Sequence, residues 1–405
     1  MRLKDIAYIN PTYIGPYLGD KLVSFAPMEC LRYDSLNPTT ILFSEANGKY
    51  TFFSNNDILF AKVTPCFENQ NIAIAQNLTN GIGFGSSEIN VLRLKSNVSL
   101  RYVFYLICSN QFYNIGCASM CGVGGLKRIN PRTVSTFEFN MPIIDEQEAI
   151  AAYLDKECDK IRRKIELLER KADAYSRLRR SLINRAVTRG LDPNVSLKPS
   201  GNNWIGDIPS NWGFERIEKT FHSKTLYNRE FSYKHAFKFF MGTIVLKDEH
   251  LDAEEYHDVY EKYIIVEQND IIINGLNLNY DLKSMRVGKV PYNGIITSAY
   301  VVLRPHNNAN TDYFNYLFKA FDYRKFFHGM GKGIRLTLSF NELRYFEIPI
   351  PPENEQKEIV VYLDEKCAKI DAIVGKINNQ IECLKELKRS LINEVVTGKR
   401  AINTI

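Results

Sequence analysis

Residues 142–188 read PIIDEQEAIAAYLDKECDKIRRKIELLERKADAYSRLRRSLINRAVT, and residues 351–397 read PPENEQKEIVVYLDEKCAKIDAIVGKINNQIECLKELKRSLINEVVT. The two stretches align without a gap at a constant offset of 209, with 18 identities in 47 positions. Glu146/Glu355, Gln147/Gln356, the Tyr-Leu-Asp triplets at 153–155 and 362–364 and the Ser-Leu-Ile-Asn quartets at 181–184 and 390–393 carry the match. So long a period is not that of a solenoid. It implies two duplicated halves related by a pseudo-two-fold.

Within the first copy, apolar residues fall at Leu154, Cys158, Ile161, Ile165, Leu168, Ala172 and Tyr175, in steps of four and three. The second copy repeats the pattern at Leu363, Cys367, Ile370, Val374, Ile377, Ile381 and Leu384. This is a heptad seam. Asp145 and Asn354 are cap candidates ahead of acidic first turns, and Gly190 and Gly398 are candidate stops. A helix of about 43 residues spans roughly 65 Å and cannot bury such a stripe alone. The two copies are therefore expected to pack antiparallel on each other, with the halves that precede them at opposite ends. The first copy is also basic, with Lys160, Arg162, Arg163, Lys164, Arg170, Lys171, Arg177, Arg179, Arg180 and Arg185. Such a run is ordinarily a solvated face, and the alternative is a surface under a phosphate backbone.

Residues 1–141 and 213–350 read as mixed α and β, with short strands bounded by Gly, Asn and Pro. A faint likeness links them. Asn56-Asp57-Ile58 matches Asn269-Asp270-Ile271, and Ser87, Val91, Leu92 and Arg93 match Ser298, Val302, Leu303 and Arg304. Tyr102, Tyr105 and Leu106 then fall on Tyr313, Tyr316 and Leu317, on what reads as a short helix. The expected fold is α+β: two halves alike in fold and different in surface, joined by two long helices forming an antiparallel coiled coil. Residues 190–211 have a linker composition, with Pro193, Pro199, Gly201, Gly206 and Pro209.

Each half reaches a Gly-rich basic loop before its long helix, Gly122-Val-Gly-Gly-Leu-Lys127-Arg128 and Gly329-Met-Gly-Lys332-Gly-Ile-Arg335. Glycine lets a backbone approach a surface closely, and Lys and Arg suit phosphate or guanine. The bland reading is a hairpin turn with solvated cations, but recurrence at the same place in both halves favours function. Lys127, Arg128, Lys332 and Arg335 are the primary candidates. Lys62, Asn277, Asn279, Tyr280, Lys283 and Arg286 are secondary ones, since Asn can read adenine and Arg guanine.

The net charge of +6 and pI near 8.7 are compatible with a nucleic-acid partner without requiring one. No stretch approaches the ~20 apolar residues that cross a bilayer, and the chain is expected to be cytoplasmic. The eight cysteines are scattered and every histidine lies at His222 or later, which is not zinc spacing. An adenine methyltransferase needs a cofactor loop and an Asn/Asp-Pro-Pro-aromatic motif, whereas the only Pro-Pro is Pro351-Pro352, followed by Glu353. Gly81-Ile-Gly-Phe-Gly85 is too short to be a phosphate cradle. The negatives favour a chain that binds and positions, with no metal or catalytic residue of its own.

In these motifs the chain resembles the specificity subunit of type I restriction-modification systems. The Pro-Ile-Pro-Pro-Glu-Asn-Glu-Gln-Lys run from Pro349, the Tyr-Leu-Asp triplets and the Arg-Ser-Leu-Ile-Asn endings are similar to that family's two helical conserved regions. Trp204-Ile-Gly-Asp-Ile-Pro-Ser-Asn-Trp212 resembles the phrase that opens a target-recognition domain. No such phrase precedes the first half, where Arg2-Leu-Lys stands in register with Arg216-Ile-Glu. The resemblance implies a target-recognition domain at 1–144, a central helix at 145–190, a linker and second target-recognition domain at 191–353, and a C-terminal helix at 354–405. It further implies a non-catalytic subunit that reads a bipartite site in double-stranded DNA, the helices setting the unread spacer; half-sites on one face of the duplex lie roughly 34 Å apart per turn. The implied partners are two modification subunits and restriction subunits, which use S-adenosylmethionine, ATP and Mg2+, while this chain holds no cofactor. The rival readings are a protein-binding coiled-coil scaffold and a fused modification enzyme. DNA binding that weakens steeply with salt separates the first rival, and methyl transfer by the chain alone the second.

Overall fold

The computed structural model describes residues 1–123, 125–202, 204–223, 225–240, 242–247, 256–279, 285–306, 309–331, 333 and 336–402. Two compact units make up the chain: Met1–Glu169 with Asn378–Ile405, and Arg170–Ile377. The two long helices are Ile144–Arg189 and Glu353–Val396, of 46 and 44 residues. Each unit contains one α+β head, one end of one helix and the opposite end of the other. Among the described residues no helix is long and apolar enough to cross a membrane.

In the first unit a four-stranded antiparallel sheet runs in the order Ala7–Ile9, Ile89–Leu94, Ile58–Ala61, Ile72–Ile74. Strand Ile58–Ala61 is buried at every position, which is why it reads as a continuous apolar run. Successive side chains serve opposite faces. Ile58 and Phe60 join the core beneath helix Leu100–Ile107, and Leu59 joins a second core with Phe53, Ala73 and Val91. A further sheet orders Thr39–Leu42, Leu22–Ala26, Ile82–Gly85 and Thr51–Ser54. The Gly81–Gly85 stretch is thus mostly an internal strand hydrogen-bonded on both sides, which leaves no backbone amides for a phosphate.

The second unit repeats the first. Its sheet orders Phe221–His222, Val301–Pro305, Ile271–Ile273 and Val287–Lys289, and helix Thr311–Tyr323 covers it. Again Ile271 and Ile273 enter the core under the helix while Ile272 enters the other. The segment whose composition suggested a linker is folded. Leu197–Pro199 pairs with Asp207–Pro209, and Trp212 is buried with its indole nitrogen donating to Glu355 at 2.9 Å. Gly201 and Gly206 take φ of 72° and 78° in the connection of this hairpin, while Pro199 and Pro209 each end one of its two strands.

The repetition extends to individual bonds. Arg93 grips Asp57 through two bonds of 2.9 and 2.7 Å, and Arg304 grips Asp270 through two of 3.0 and 2.8 Å. The Tyr105 hydroxyl donates to Asp155 at 2.6 Å, and the Tyr316 hydroxyl to Asp364 at 2.6 Å. These last bonds tie each head to the Tyr-Leu-Asp triplet of a long helix. Gln147 and Gln356 donate back to the carbonyls of Pro142 and Pro351 at 2.8 and 2.9 Å. Both long helices begin one residue ahead of the expected caps, so Asp145 and Asn354 lie inside the first turn; these glutamines close the approach instead. At the other ends Gly190 and Gly398 take φ of 70° and 73°, the left-handed C-terminal stop.

Each unit displays the antiparallel helix pairing. In the first, Ile150, Ala151, Leu154 and Cys158 from the start of one helix share a core with Leu391, Ile392, Val395 and Val396 from the finish of the other. In the second, Ile183, Ala186 and Val187 share one with Ile359, Leu363 and Cys367. Leu154, Leu363, Ile370 and Ile377 are buried, whereas Ile161, Ile165, Leu168, Tyr175, Val374 and Leu384 are half-buried. The basic run is largely a solvated face. Lys160, Arg162, Arg163 and Arg177 pair with Glu157, Asp159, Glu166 and Asp173 one turn away. Arg179 instead reaches Asp371 and the hydroxyl of Tyr323 within the second unit.

Beside Arg179, burial pushes the Lys319 ammonium from an ordinary 10.5 down to about 8, with the Arg179 charge adding to the shift and Cys367 and Asp371 opposing it. The unfolded chain holds this proton up to a higher pH than the folded one. Stability therefore rises with pH from about 8 toward about 10 and is lowered by a constant penalty below that window. Lys319→Met, which keeps the stem and removes the charge, is expected to melt higher than wild type at pH 7 and to lack the wild-type rise between pH 8 and 10. Equal melting curves for the two proteins across that range would refute the assignment.

Candidate nucleic-acid interface

In the first unit three of the candidates converge beyond the end of strand Ile58–Ala61. Cys121 and Arg128 exchange backbone bonds of 3.0 and 2.9 Å, closing the Gly-rich loop as a hairpin. Buried Thr64 clamps that hairpin. Its amide donates to the carbonyl of Lys127 at 2.9 Å, its hydroxyl donates to the carbonyl of Gly125 at 2.7 Å, and the same oxygen accepts from the Lys127 amide at 3.0 Å. Ile129 adds a backbone bond to Lys62 at 2.9 Å. The loop is thus held to the sheet by its backbone, while Lys127 and Arg128 extend into solvent and Lys62 is half-buried. Val123 and Leu126 also stand exposed.

Arg128 is engaged by Glu88, a residue that sequence reasoning missed. Its Nε lies 2.9 Å from one carboxylate oxygen and its Nη2 2.8 Å from the other. The bond to Arg128 holds the Glu88 carboxyl below its ordinary range, and the charge of Lys62 adds to this. One signal for Glu88 was present: aligning Ser87 with Ser298 sets Glu88 opposite Ala299.

The second unit uses the same scaffold with other side chains. Leu338 donates its amide to Gly275 at 3.0 Å, as Ile129 does to Lys62. The registers of strands Ile89–Leu94 and Val301–Pro305 against their neighbours place Ala299 where Glu88 stands. At the positions of Lys62, Glu88 and Arg128 this unit therefore carries Gly275, Ala299 and Thr337. Asn277 and Asn279 are exposed on the loop that follows strand Ile271–Ile273. Arg286 is not: it is 1% exposed, and its Nη1 donates to the carbonyls of Asn274 and Leu276 at 2.9 and 2.8 Å. Its guanidinium is a strut beneath the asparagine loop, enclosed away from any duplex. Lys283, Lys332, Arg335 and Tyr280 lie outside the described residues.

The chain is a duplicated α+β head, each copy bonded to a long helix by the equivalent tyrosine, with different side chains at the positions of Lys62, Glu88 and Arg128. Residues 2–170 and 211–383 match the family described as the type I restriction modification DNA specificity domain, and the chain belongs to that family. It is similar to the EcoEI specificity subunit of Escherichia coli, 34% identical over 158 residues, which are 38% of this chain and 26% of that one. The EcoAI specificity subunit of Escherichia coli is 37% identical over 155 residues, 36% of this chain and 26% of that one. The chain thus spans 26% of the length of each of these two relatives. Its fold is that of a chain in the solved structure of a type I R-M system, with a TM-score of 0.72 at 16% identity over 99% of this chain and 97% of the other. It also resembles the HsdS subunit from Thermoanaerobacter tengcongensis, with a TM-score of 0.50 at 16% identity over 99% and 96%.

Proposed function

We propose that this chain is the DNA sequence-recognition subunit of a type I restriction-modification complex, each head reading one half of a bipartite site. The observation that carries the reading is the contrast within the repeat. Internal bonds are copied from head to head, Asp57–Arg93 to Asp270–Arg304 and Tyr105–Asp155 to Tyr316–Asp364, whereas Lys62, Glu88 and Arg128 of the first head give way to Gly275, Ala299 and Thr337 in the second. Selection for one shared partner surface would keep the tips alike; reading two different base sequences requires that they differ.

The chain acts without chemistry of its own. Methyl transfer from S-adenosylmethionine and ATP-driven translocation with Mg2+ belong to its modification and restriction partners. Leu178 and Leu387 occupy matching places in the two copies, 46% and 53% exposed, and they support a pair of equivalent contacts to two modification subunits. The main alternative, a protein-binding scaffold without DNA specificity, predicts no salt-dependent binding to duplex DNA.

Genome-wide adenine-methylation mapping tests the reading. A bipartite methylated motif is expected with the chain present and absent without it, and methylation that does not depend on the chain would refute the assignment. Adding one helical turn in both copies, between Ile161 and Tyr175 and between Ile370 and Leu384, is expected to lengthen the unread spacer and leave both half-sites as they were. An unchanged spacer would show that the helices do not set it.

A further inference from the structure

We infer that Arg128 reads a guanine in the major groove and that Glu88 is the positioning residue that presents its fork to the base. The inference rests on the DNA-recognition reading above and goes further in assigning one base and two side chains. The carboxylate of Glu88 occupies the Nε and one hydrogen of Nη2 of Arg128. Three hydrogens remain, and two of them, one on Nη1 and one on Nη2, form a planar two-donor fork on the edge away from Nε. Guanine presents the matching pair of acceptors, N7 and O6, side by side on its major-groove edge, and it is the base that bidentate arginine recognises.

Three further observations point the same way. First, an exposed ion pair contributes little to folding, so stability does not account for a second residue spent on fixing Arg128; the side chains are 48% and 26% exposed. Second, a carboxylate bonded to the guanidinium cancels most of its charge and would repel a phosphate. Such a pair suits a base edge, where geometry decides, better than a backbone, where net charge decides. Exposed Lys127, one residue away, is left to the phosphates. Third, the backbone beneath Arg128 is immobilised by Thr64 and by the Cys121 bridge, as required for a side chain that must arrive at a fixed angle. The second head keeps the backbone pairing and replaces all three charged residues with Gly275, Ala299 and Thr337, so the arrangement is not a requirement of the fold.

The test uses the methyltransferase complex assembled with the full chain, on duplexes carrying the mapped motif. Each guanine is replaced in turn by 7-deazaguanine, which lacks the N7 acceptor. Wild type is expected to lose about tenfold in affinity or more at one guanine through its contact with residue 128. At that guanine the same substitution should cost Arg128→Ala nothing and Glu88→Gln less than it costs wild type. In cells, the motif methylated by the Arg128→Ala complex should become degenerate at that one position and keep its other half-site. Arg128→Lys, which retains charge and loses the fork, gives the same comparison if the alanine variant fails to assemble. The inference is overturned if no guanine shows a penalty that depends on residue 128, or if Arg128→Ala weakens every duplex equally, the behaviour of a phosphate contact. An undiminished penalty in Glu88→Gln removes Glu88 from the assignment. If the chain directs no sequence-dependent methylation at all, the recognition reading itself falls and takes this assignment with it.

Discussion

Asp270→Ala is expected to destabilise the second unit by about 2–4 kcal/mol, because a buried guanidinium loses two of its three carboxylate bonds and keeps only the one to half-exposed Glu267 at 2.7 Å. The Asp270 side chain is 1% exposed and that of Arg304 only 10%. Asp270 also accepts the backbone amide of Glu267 at 2.8 Å, so one substitution removes two bonds to the fork and one to the chain. The equivalent change in the first unit, Asp57→Ala, is expected to cost less, about 1–3 kcal/mol. There Arg93 is 32% exposed, reaches water, and keeps its bond to the Ser54 hydroxyl at 2.8 Å. Chemical denaturation of the two variants side by side gives the comparison. If they lose equal stability, burial of the arginine is not what sets the cost.

The second large effect is at the helix pair. Leu363→Ala and Leu154→Ala each empty a site of zero exposure in a core shared by both long helices and a head, and each is expected to cost about 2–5 kcal/mol. Leu167→Ala, on the same helix as Leu154 but 62% exposed, should change stability by less than about 0.5 kcal/mol. Urea midpoints check this, and similar losses for Leu154→Ala and Leu167→Ala would contradict the seam.

The long helices were legible because a helical period is a local signal, repeated here twice over. Likewise, the gapless match of Tyr-Leu-Asp placed Asp155 and Asp364 in register, and the fainter likeness placed Tyr105 on Tyr316. That the tyrosine bonds to the aspartate was not legible, because the partners are 50 and 48 residues apart and no spacing rule joins them. The same holds for Asp57 with Arg93, which the sequence aligned with their counterparts yet did not pair. At the candidate site, Lys127 and Arg128 were singled out through glycine and charge, and the structure brings them together with Lys62. Glu88 was passed over because a single acid at a turn carries no pattern until a sheet brings it to an arginine 40 residues away. Arg286 shows the converse. Its position in a polar loop segment suggested a surface, but a guanidinium can satisfy carbonyls from within, and composition does not distinguish the two. The Pro- and Gly-rich segment ahead of Trp212 read as a linker and is folded as a hairpin, because the same residue types occur in both.

The first core is closed by Leu391, Ile392, Val395 and Val396, which the ribosome adds more than 200 residues after Leu154. A nascent chain carrying residues 1–169 therefore leaves Ile150, Leu154 and Cys158 without the apolar strip that covers them, and the first half cannot mature until residues 391–396 have been made. A premature stop codon ahead of residue 391 would therefore damage the unit translated first, and register as misfolding around residues 1–169 rather than at the lesion.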